Sequence, residues 1–269
     1  MSDNLNENEL LHKNHDRYFV PGLSRGLRVL EIIAEADKPL TIAEIGKKLG
    51  VSRSSAFRIT YTLRHMGFLS TDKGDKLFDL GPRVLGLGFA YLNRQDIIKI
   101  AKPFLEELRD KTEVSSHLAI KAGREVLYLD NVLSKTSFVS NISTGERRPA
   151  YASPQGWLLM GGMSESDVRA LFEGVAFKSL SEHTPTDIDQ LIKRINEAEK
   201  LGYVISRGFM RHGGSIVTAP IFNEVRQVAA VIDISGPDSG FDFDKMNSFY
   251  VPHVVETARE ISRSLGYRD

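Results

Sequence analysis

The stretch VSRSSAFRITYTLRHMGFL, residues 51–69, puts two opposed faces on one predicted helix. Ala56, Ile59, Leu63 and Met66 recur at +3, +4 and +3, the spacing of a buried stripe. Arg53, Ser54, Ser55, Arg58, Tyr61 and Thr62 fall on the opposite side. Ser52 has the residue type of an N-cap and Gly67 that of a stop.

Upstream, Leu27, Leu30, Ile33 and Ala34 predict a helix that starts at Leu23 and ends before Pro39. Thr41-Ile-Ala-Glu44 is a capping box that opens a second helix, with Ile42, Ile45 and Leu49 inward and Gly50 closing it. Downstream, Phe68–Ser70, a polar turn over 72–76 and Leu77–Leu80 read as strand, turn, strand. Three helices with a short linker between the second and third, followed by a hairpin, is the order of a winged helix-turn-helix over 23–81. Pro82 suits a first helical turn, and Val84, Leu87, Ala90 and Tyr91 predict a linker helix over 82–95.

A second unit over 96–269 mixes both element types. Ile97, Ile100, Phe104 and Leu108 mark a helix, and Val114–Ile120 with Glu125–Val132 flank a hairpin turn at 122–124. Strands are predicted at 136–143, 202–206, 215–222 and 228–235, and helices starting at Ser164 and Thr186. Val254, Val255, Ala258, Ile261 and Leu265 mark a closing helix. The expected class is α+β, with helices on an antiparallel sheet.

Composition narrows the functions available. The 269 residues carry 35 basic and 35 acidic side chains and no cysteine, which excludes disulfides, thiolate catalysis and cysteine-held zinc. Residues 1–22 are polar and Asn-rich, and read as a mobile tail of a cytoplasmic protein with no membrane span. The neutral total conceals an asymmetry. Residues 24–83 hold eleven Lys/Arg against seven Asp/Glu, a net of +4, so the remainder carries −4. A basic end suggests a polyanionic partner there.

Short polar and forked side chains on the N-terminal half of the third helix are what base edges require. Arg53, Ser54, Ser55 and Arg58 supply them, and Lys73 and Lys76 on the wing would reach phosphates. Thr41, Ser52 and Thr62 complete the candidate DNA-binding set. Two alternatives stand beside this: a winged helix that binds only protein, and a small-molecule enzyme with an appended winged helix. Seven histidines without metal-ligand spacing, and no phosphate loop or nucleophile elbow, argue for neither catalysis, metal nor cofactor.

The chain from about Pro21 to Gly266 resembles the IclR family of bacterial transcriptional regulators. The matching blocks are SRGLRVLEIIAEADKPLTIAEIGKKLGVSRSSAFRITYTLRHMGFL, GERRPAYASPQGWLLMGGM (145–163) and LGYVISRGFMRHGGSIVTAPIFNEVRQVAAVIDISGP (201–237). The resemblance implies binding to double-stranded operator DNA near catabolic operons, dimers that pair again into tetramers, and a GAF/PAS-like domain that binds a small-molecule effector. PAYA at 149–152 looks most like the branch that senses aromatic acids.

The family pocket maps onto three segments: Tyr151, Ser153, Gln155 and Trp157; Arg207; and Ser215 or Ile216 with Asp233 and Ser235. The family pattern has a basic residue at Trp157, an acidic one at Arg207 and a serine at Asp233. Arg207 would hold a carboxylate bidentately, while Trp157 would wall a ring or a cationic head. Asp233 would bond a hydroxyl, pair with a cation, or pair with Arg207. Core packing for Trp157 and solvation for Arg207 remain open, and His117 reads as a satisfied sheet residue.

Overall fold

The structure is a computed structural model that describes residues 18–72, 74, 76–135, 142–208 and 213–268. It divides into two compact units, 1–93 and 94–269.

In the first unit, helix α1 (Pro21–Ala34), strand β1 (Leu40–Thr41), helix α2 (Ile42–Leu49) and helix α3 (Arg53–His65) precede strands β2 (Leu69–Thr71) and β3 (Leu77–Leu80) and helix α4 (Arg83–Leu92). The strands form an antiparallel sheet in the order β1-β3-β2. This is the winged helix-turn-helix, with β1 an addition that two residues of sequence do not announce. The capping box is present: the Thr41 hydroxyl accepts from the Glu44 amide at 3.3 Å, and the Thr41 amide donates to the Glu44 carboxylate at 2.8 Å. Gly50 ends α2 at φ 70°, where any other residue would be strained.

The core joins Val29, Ile32, Ile33, Leu40, Ile45, Leu69 and Phe78. The predicted stripe of α3 needs one correction. Met66 is 44% exposed, because the helix ends at His65 and Met66 lies past its last turn. Thr60 is buried in the stripe instead, its hydroxyl donating to the Ala56 carbonyl at 3.0 Å.

The second unit opens with helix α5 (Asp96–Thr112) and strands β4 (Ser116–Ala122), β5 (Glu125–Val132) and β6 (Arg147–Pro149). A single turn (Ala150–Ala152) leads into helix α6 (Pro154–Leu159), followed by helices α7 (Glu165–Leu171) and α8 (Ile188–Leu201). Strands β7 (Val204–Arg207), β8 (Gly214–Phe222) and β9 (Val228–Pro237) precede the closing helix α9 (Val251–Ser264). The predicted strand over 136–143 lies largely outside the described residues, and Ile142 and Ser143 are not in a strand. The six strands form one antiparallel sheet, β6-β5-β4-β9-β8-β7.

Side chains alternate between the two faces of such a sheet. One face packs on α5 and α9, as the Ser116 hydroxyl bonded to the Leu105 carbonyl records. The other, carrying Ala119, Tyr128 and Val231, packs on α6 and α8 through Trp157, Leu158, Leu191 and Ile195. Helix α6 is buried along its whole length. It sits so close to the preceding turn that a Cβ on Gly156 would lie 2.1 Å from the Ala150 carbonyl oxygen.

Candidate functional sites

The outer face of α3 is the candidate nucleic-acid interface. Arg53, Ser54, Arg58 and Thr62 are exposed and Ser55 half-buried. Ser52 caps the helix, its hydroxyl accepting from the Ser55 amide at 3.2 Å. Thr41 and Ser52 thus have local bonds that fix the starts of α2 and α3, and Thr62 donates to the Arg58 carbonyl at 2.9 Å. The wing turn is pinned by Asp72, whose carboxylate accepts from the amides of Lys76 and Leu77 at 2.9 and 3.0 Å. Those two amides hold its carboxyl below the usual carboxylate range. Lys76 is exposed beside it, while Lys73 lies outside the described residues. The sequence reading passed over Phe57, which is 53% exposed on the same helix.

The second site lies where the sheet meets α6. His117 on β4 stands opposite Asp233 on β9, and Asp233 opposite Thr218 on β8. His117 Nδ1 lies 2.9 Å from Asp233 Oδ1, and both side chains are wholly buried. Gln155 Nε2, on α6, donates to Asp233 Oδ2 at 3.0 Å. Ser235 Oγ lies 3.3 Å from His117 Nδ1. A carboxylate accepts only, so it fixes the hydrogen on the His117 nitrogen that faces it and the orientation of the Gln155 amide.

The network and the sheet face around it include polar atoms that are not bonded. His117 Nε2, Gln155 Oε1, Tyr128 Oη and Ser206 Oγ are buried and have no hydrogen-bond partner among the described residues. The Tyr128 ring meets the His117 ring edge-on at 6.0 Å, and the Arg148 guanidinium lies 5.4 Å from the Tyr128 centroid. Burial, aided by the Asp233 charge, raises the Tyr128 hydroxyl pKa far above its ordinary value, so it remains a neutral donor and acceptor. Native interiors hold few such atoms, because each costs roughly 1–3 kcal/mol. Four on one face of the sheet and the helix that covers it make this face the candidate site for a polar molecule.

Strand register decides which predicted pocket residues join this group. Ser206, Ile216 and Ser235 are mutually opposite across β7, β8 and β9, on the same face as Asp233. Gln155, Ile216, Asp233 and Ser235 are therefore brought together. Arg207 and Ser215 are paired with each other one position along, so alternation turns them to the opposite face. There Arg207 Nε donates to Asp238 Oδ2 at 2.9 Å and the Ser215 hydroxyl to Asp238 Oδ1 at 2.7 Å. The Arg207 guanidinium also stacks 4.2 Å from the Phe243 centroid. Asp238, not Asp233, is its acidic partner.

The N-terminal part of the predicted pocket also divides. Tyr151 turns to Phe172 and Phe177, its hydroxyl bonded to the Lys178 backbone. Ser153 caps α6 by accepting from the Gly156 amide at 3.1 Å. Trp157 is core, with its indole N–H donating to the Tyr151 carbonyl at 2.9 Å and Arg194 over its ring at 5.5 Å. The sequence reading missed Tyr128, took Arg207 in place of its neighbour Ser206 and set His117 aside. A histidine, a tyrosine and a serine at inward positions of apolar strands were the signal.

Comparison with known proteins identifies the domains that carry the two candidate sites. Residues 22–73 match the IclR helix-turn-helix domain, and residues 89–263 match the bacterial transcriptional regulator IclR C-terminal domain. The chain is 30% identical to the HTH-type transcriptional regulator KipR of Bacillus subtilis over 228 residues, 85% of this chain and 90% of that one. It superposes on a transcriptional regulator from Rhodococcus sp. RHA1 with a TM-score of 0.76 at 28% identity, covering 92% and 98% of the two chains. An IclR homologue from Microbacterium hydrocarbonoxydans, crystallised with 4-hydroxybenzoate, has the same fold, with a TM-score of 0.74 at 22% identity and coverage of 91% and 98%. Among the described residues no helix is long and apolar enough to cross a membrane. A winged helix-turn-helix with a basic outer face, joined to a sheet that buries an incompletely bonded polar cluster, is the build of a ligand-responsive regulator rather than an enzyme, and the chain belongs to the IclR family of bacterial transcriptional regulators.

Proposed function

We propose that this protein controls a catabolic operon in the cytoplasm by binding operator DNA through α3 and the wing, and that a small organic metabolite at Asp233 modulates that binding. The boundaries that serve this reading are a DNA-binding domain over 23–81, a linker helix within 82–95 and an effector-binding domain over 96–269. Arg58, Ser54 and Ser55 read bases from α3, Arg53 and Lys76 contact phosphates, and the capped starts of α2 and α3 at Thr41 and Ser52 set the entry angle.

The observation that carries the sensing role is the set of buried, unpartnered atoms on His117, Tyr128, Gln155 and Ser206. A ligand hydroxyl suits them, because it donates to Gln155 Oε1 and accepts from Tyr128 or Ser206. The PAYA segment and the 4-hydroxybenzoate complex of the Microbacterium homologue support an aromatic hydroxy acid. With Arg207 paired to Asp238, the carboxylate of such an acid is met by a neutral hydroxyl donor such as Tyr128 rather than by a guanidinium, and His117 Nε2, the acceptor of the tautomer that Asp233 fixes, suits the ligand hydroxyl.

The apolar surface of α4 supports a dimer. The helix has no buried residue, and Leu85 and Phe89 on one side and Leu87 and Tyr91 on the other are 62%, 53%, 62% and 44% exposed. That much exposed apolar surface on a short helix suits a contact, and a twofold pair of winged helices matches palindromic half-sites. Two such dimers pair into the tetramer that the family resemblance implies.

Titrating hydroxylated aromatic acids into the protein bound to labelled promoter DNA tests the reading. The expected result is a ligand recovered unchanged that shifts operator affinity by about 5–150-fold. Operator binding indifferent to every ligand that calorimetry detects would exclude it.

A further inference from the structure

At 100° per residue, the inward stripe of α3 (Ala56, Thr60, Leu63) has Arg58 and Ser54 within about 30° of the line directly opposite it. Phe57 lies about 90° round from the stripe, and Ser54 and Tyr61 stand between it and Arg58. The interior is filled without either aromatic, since Ala56 and Thr60 are wholly buried while Phe57 and Tyr61 are 53% and 61% exposed. Their rings lie 6.1 Å apart at 37°, and Tyr61 stacks on His65 at 6.5 Å and 7°. A phenylalanine is thereby held on the outside of the helix, propped by its own neighbour one turn on. It also shares the surface of Ser54 and Arg58, whose hydrogen-bonding groups suit base edges.

The major groove offers such a ring one apolar feature, the C5-methyl of thymine. We propose that Phe57, supported by Tyr61, is a specificity-determining residue that packs on thymine methyl groups of the operator while Arg58 pairs with a base. The inference rests on the DNA-binding role of α3 and adds to it an apolar half of the readout. A protein partner on the same face would leave thymine methyls unread, which the following test detects.

The full-length protein selects duplexes from a random library, and the winning duplex is resynthesised with deoxyuridine in place of thymidine, which deletes the methyl and keeps base pairing. Wild-type affinity is expected to fall about fourfold for each methyl contacted, the equivalent of one buried methylene. Phe57→Ala is expected to bind the thymidine duplex as weakly as wild type binds the deoxyuridine one, and to bind both duplexes alike. Phe57→Leu should retain part of the discrimination. The dependence of affinity on salt should be the same for both duplexes, since no phosphate contact changes. Equal wild-type affinity for the two duplexes overturns the proposal, as does a Phe57→Ala protein that still tells them apart. Either result leaves DNA binding itself intact, whereas a selection that enriches no duplex overturns the DNA-binding role and this inference together.

Discussion

His117 and Asp233 face one another across β4 and β9 at 2.9 Å, with no solvent reaching either side chain. Asp233 is the acceptor on which both His117 and Gln155 depend. Asp233→Ala strands two buried donors and should lower the stability of the second unit by about 3 kcal/mol. Urea denaturation should show an earlier midpoint with an unchanged slope. A variant as stable as wild type would mean that the network is not formed in solution.

Arg58→Ala and Lys76→Ala should weaken DNA binding in different ways. Loss of a base contact costs about 1–3 kcal/mol and relaxes preference at one position. Loss of a phosphate contact weakens all sequences alike and lowers the salt slope by about one. Anisotropy titrations of specific and scrambled duplexes at several salt concentrations separate the two.

Glu44 has its carboxyl held below the ordinary glutamate range, first by the Thr41 amide and then by the Thr41 hydroxyl. A lowered folded-state value means the unfolded chain takes up the proton first. The contribution of the box is therefore complete above about pH 4.5 and is lost as pH falls through the folded value. Thr41→Ala should cost about 1 kcal/mol at neutral pH. The gap between variant and wild type should narrow on acidification, as followed by circular dichroism.

Gly156→Ala should destabilise the second unit by about 3 kcal/mol, the upper range of overpacking. The obstacle is backbone, since Ala150 O, Cα and C would all lie within 2.6 Å of the new carbon. Because α6 carries Gln155, effector response should fail in any fraction that still folds. Calorimetric melting and ligand titration on the same sample check both effects.

Leu85→Glu together with Leu87→Glu should turn the proposed dimer into monomers without loss of helix, because both side chains are more than half exposed. Sedimentation equilibrium reads the mass. Unchanged mass would place the contact elsewhere.

The winged helix was legible because its signals are local. Thr41 with Glu44, Ser52, Gly50 and the +3, +4 spacing of Ala56, Ile59 and Leu63 each declare themselves within a few residues. The site proposed for the effector was only half legible. Asp233 stood out as a charge among Val231, Ile232 and Ile234, but its partner is 116 residues away and no spacing encodes that. Ser206 and Arg207 are neighbours in sequence and opposite in orientation, so a motif that names the segment does not name the residue. Trp157 drew notice for its chemistry, although a helix buried on every side made it packing.

The central pairing of β4 with β9 has a consequence for how the protein comes into being. Strands β6-β5-β4 and β9-β8-β7 are each made of neighbours in the chain, and one long-range seam joins the two halves. Such seams form late, because a large loop must close before any contact rewards it. On the ribosome the winged helix emerges first and His117 waits for Asp233 until most of the polypeptide has been translated. For that interval the newborn regulator has a grip and no receptor.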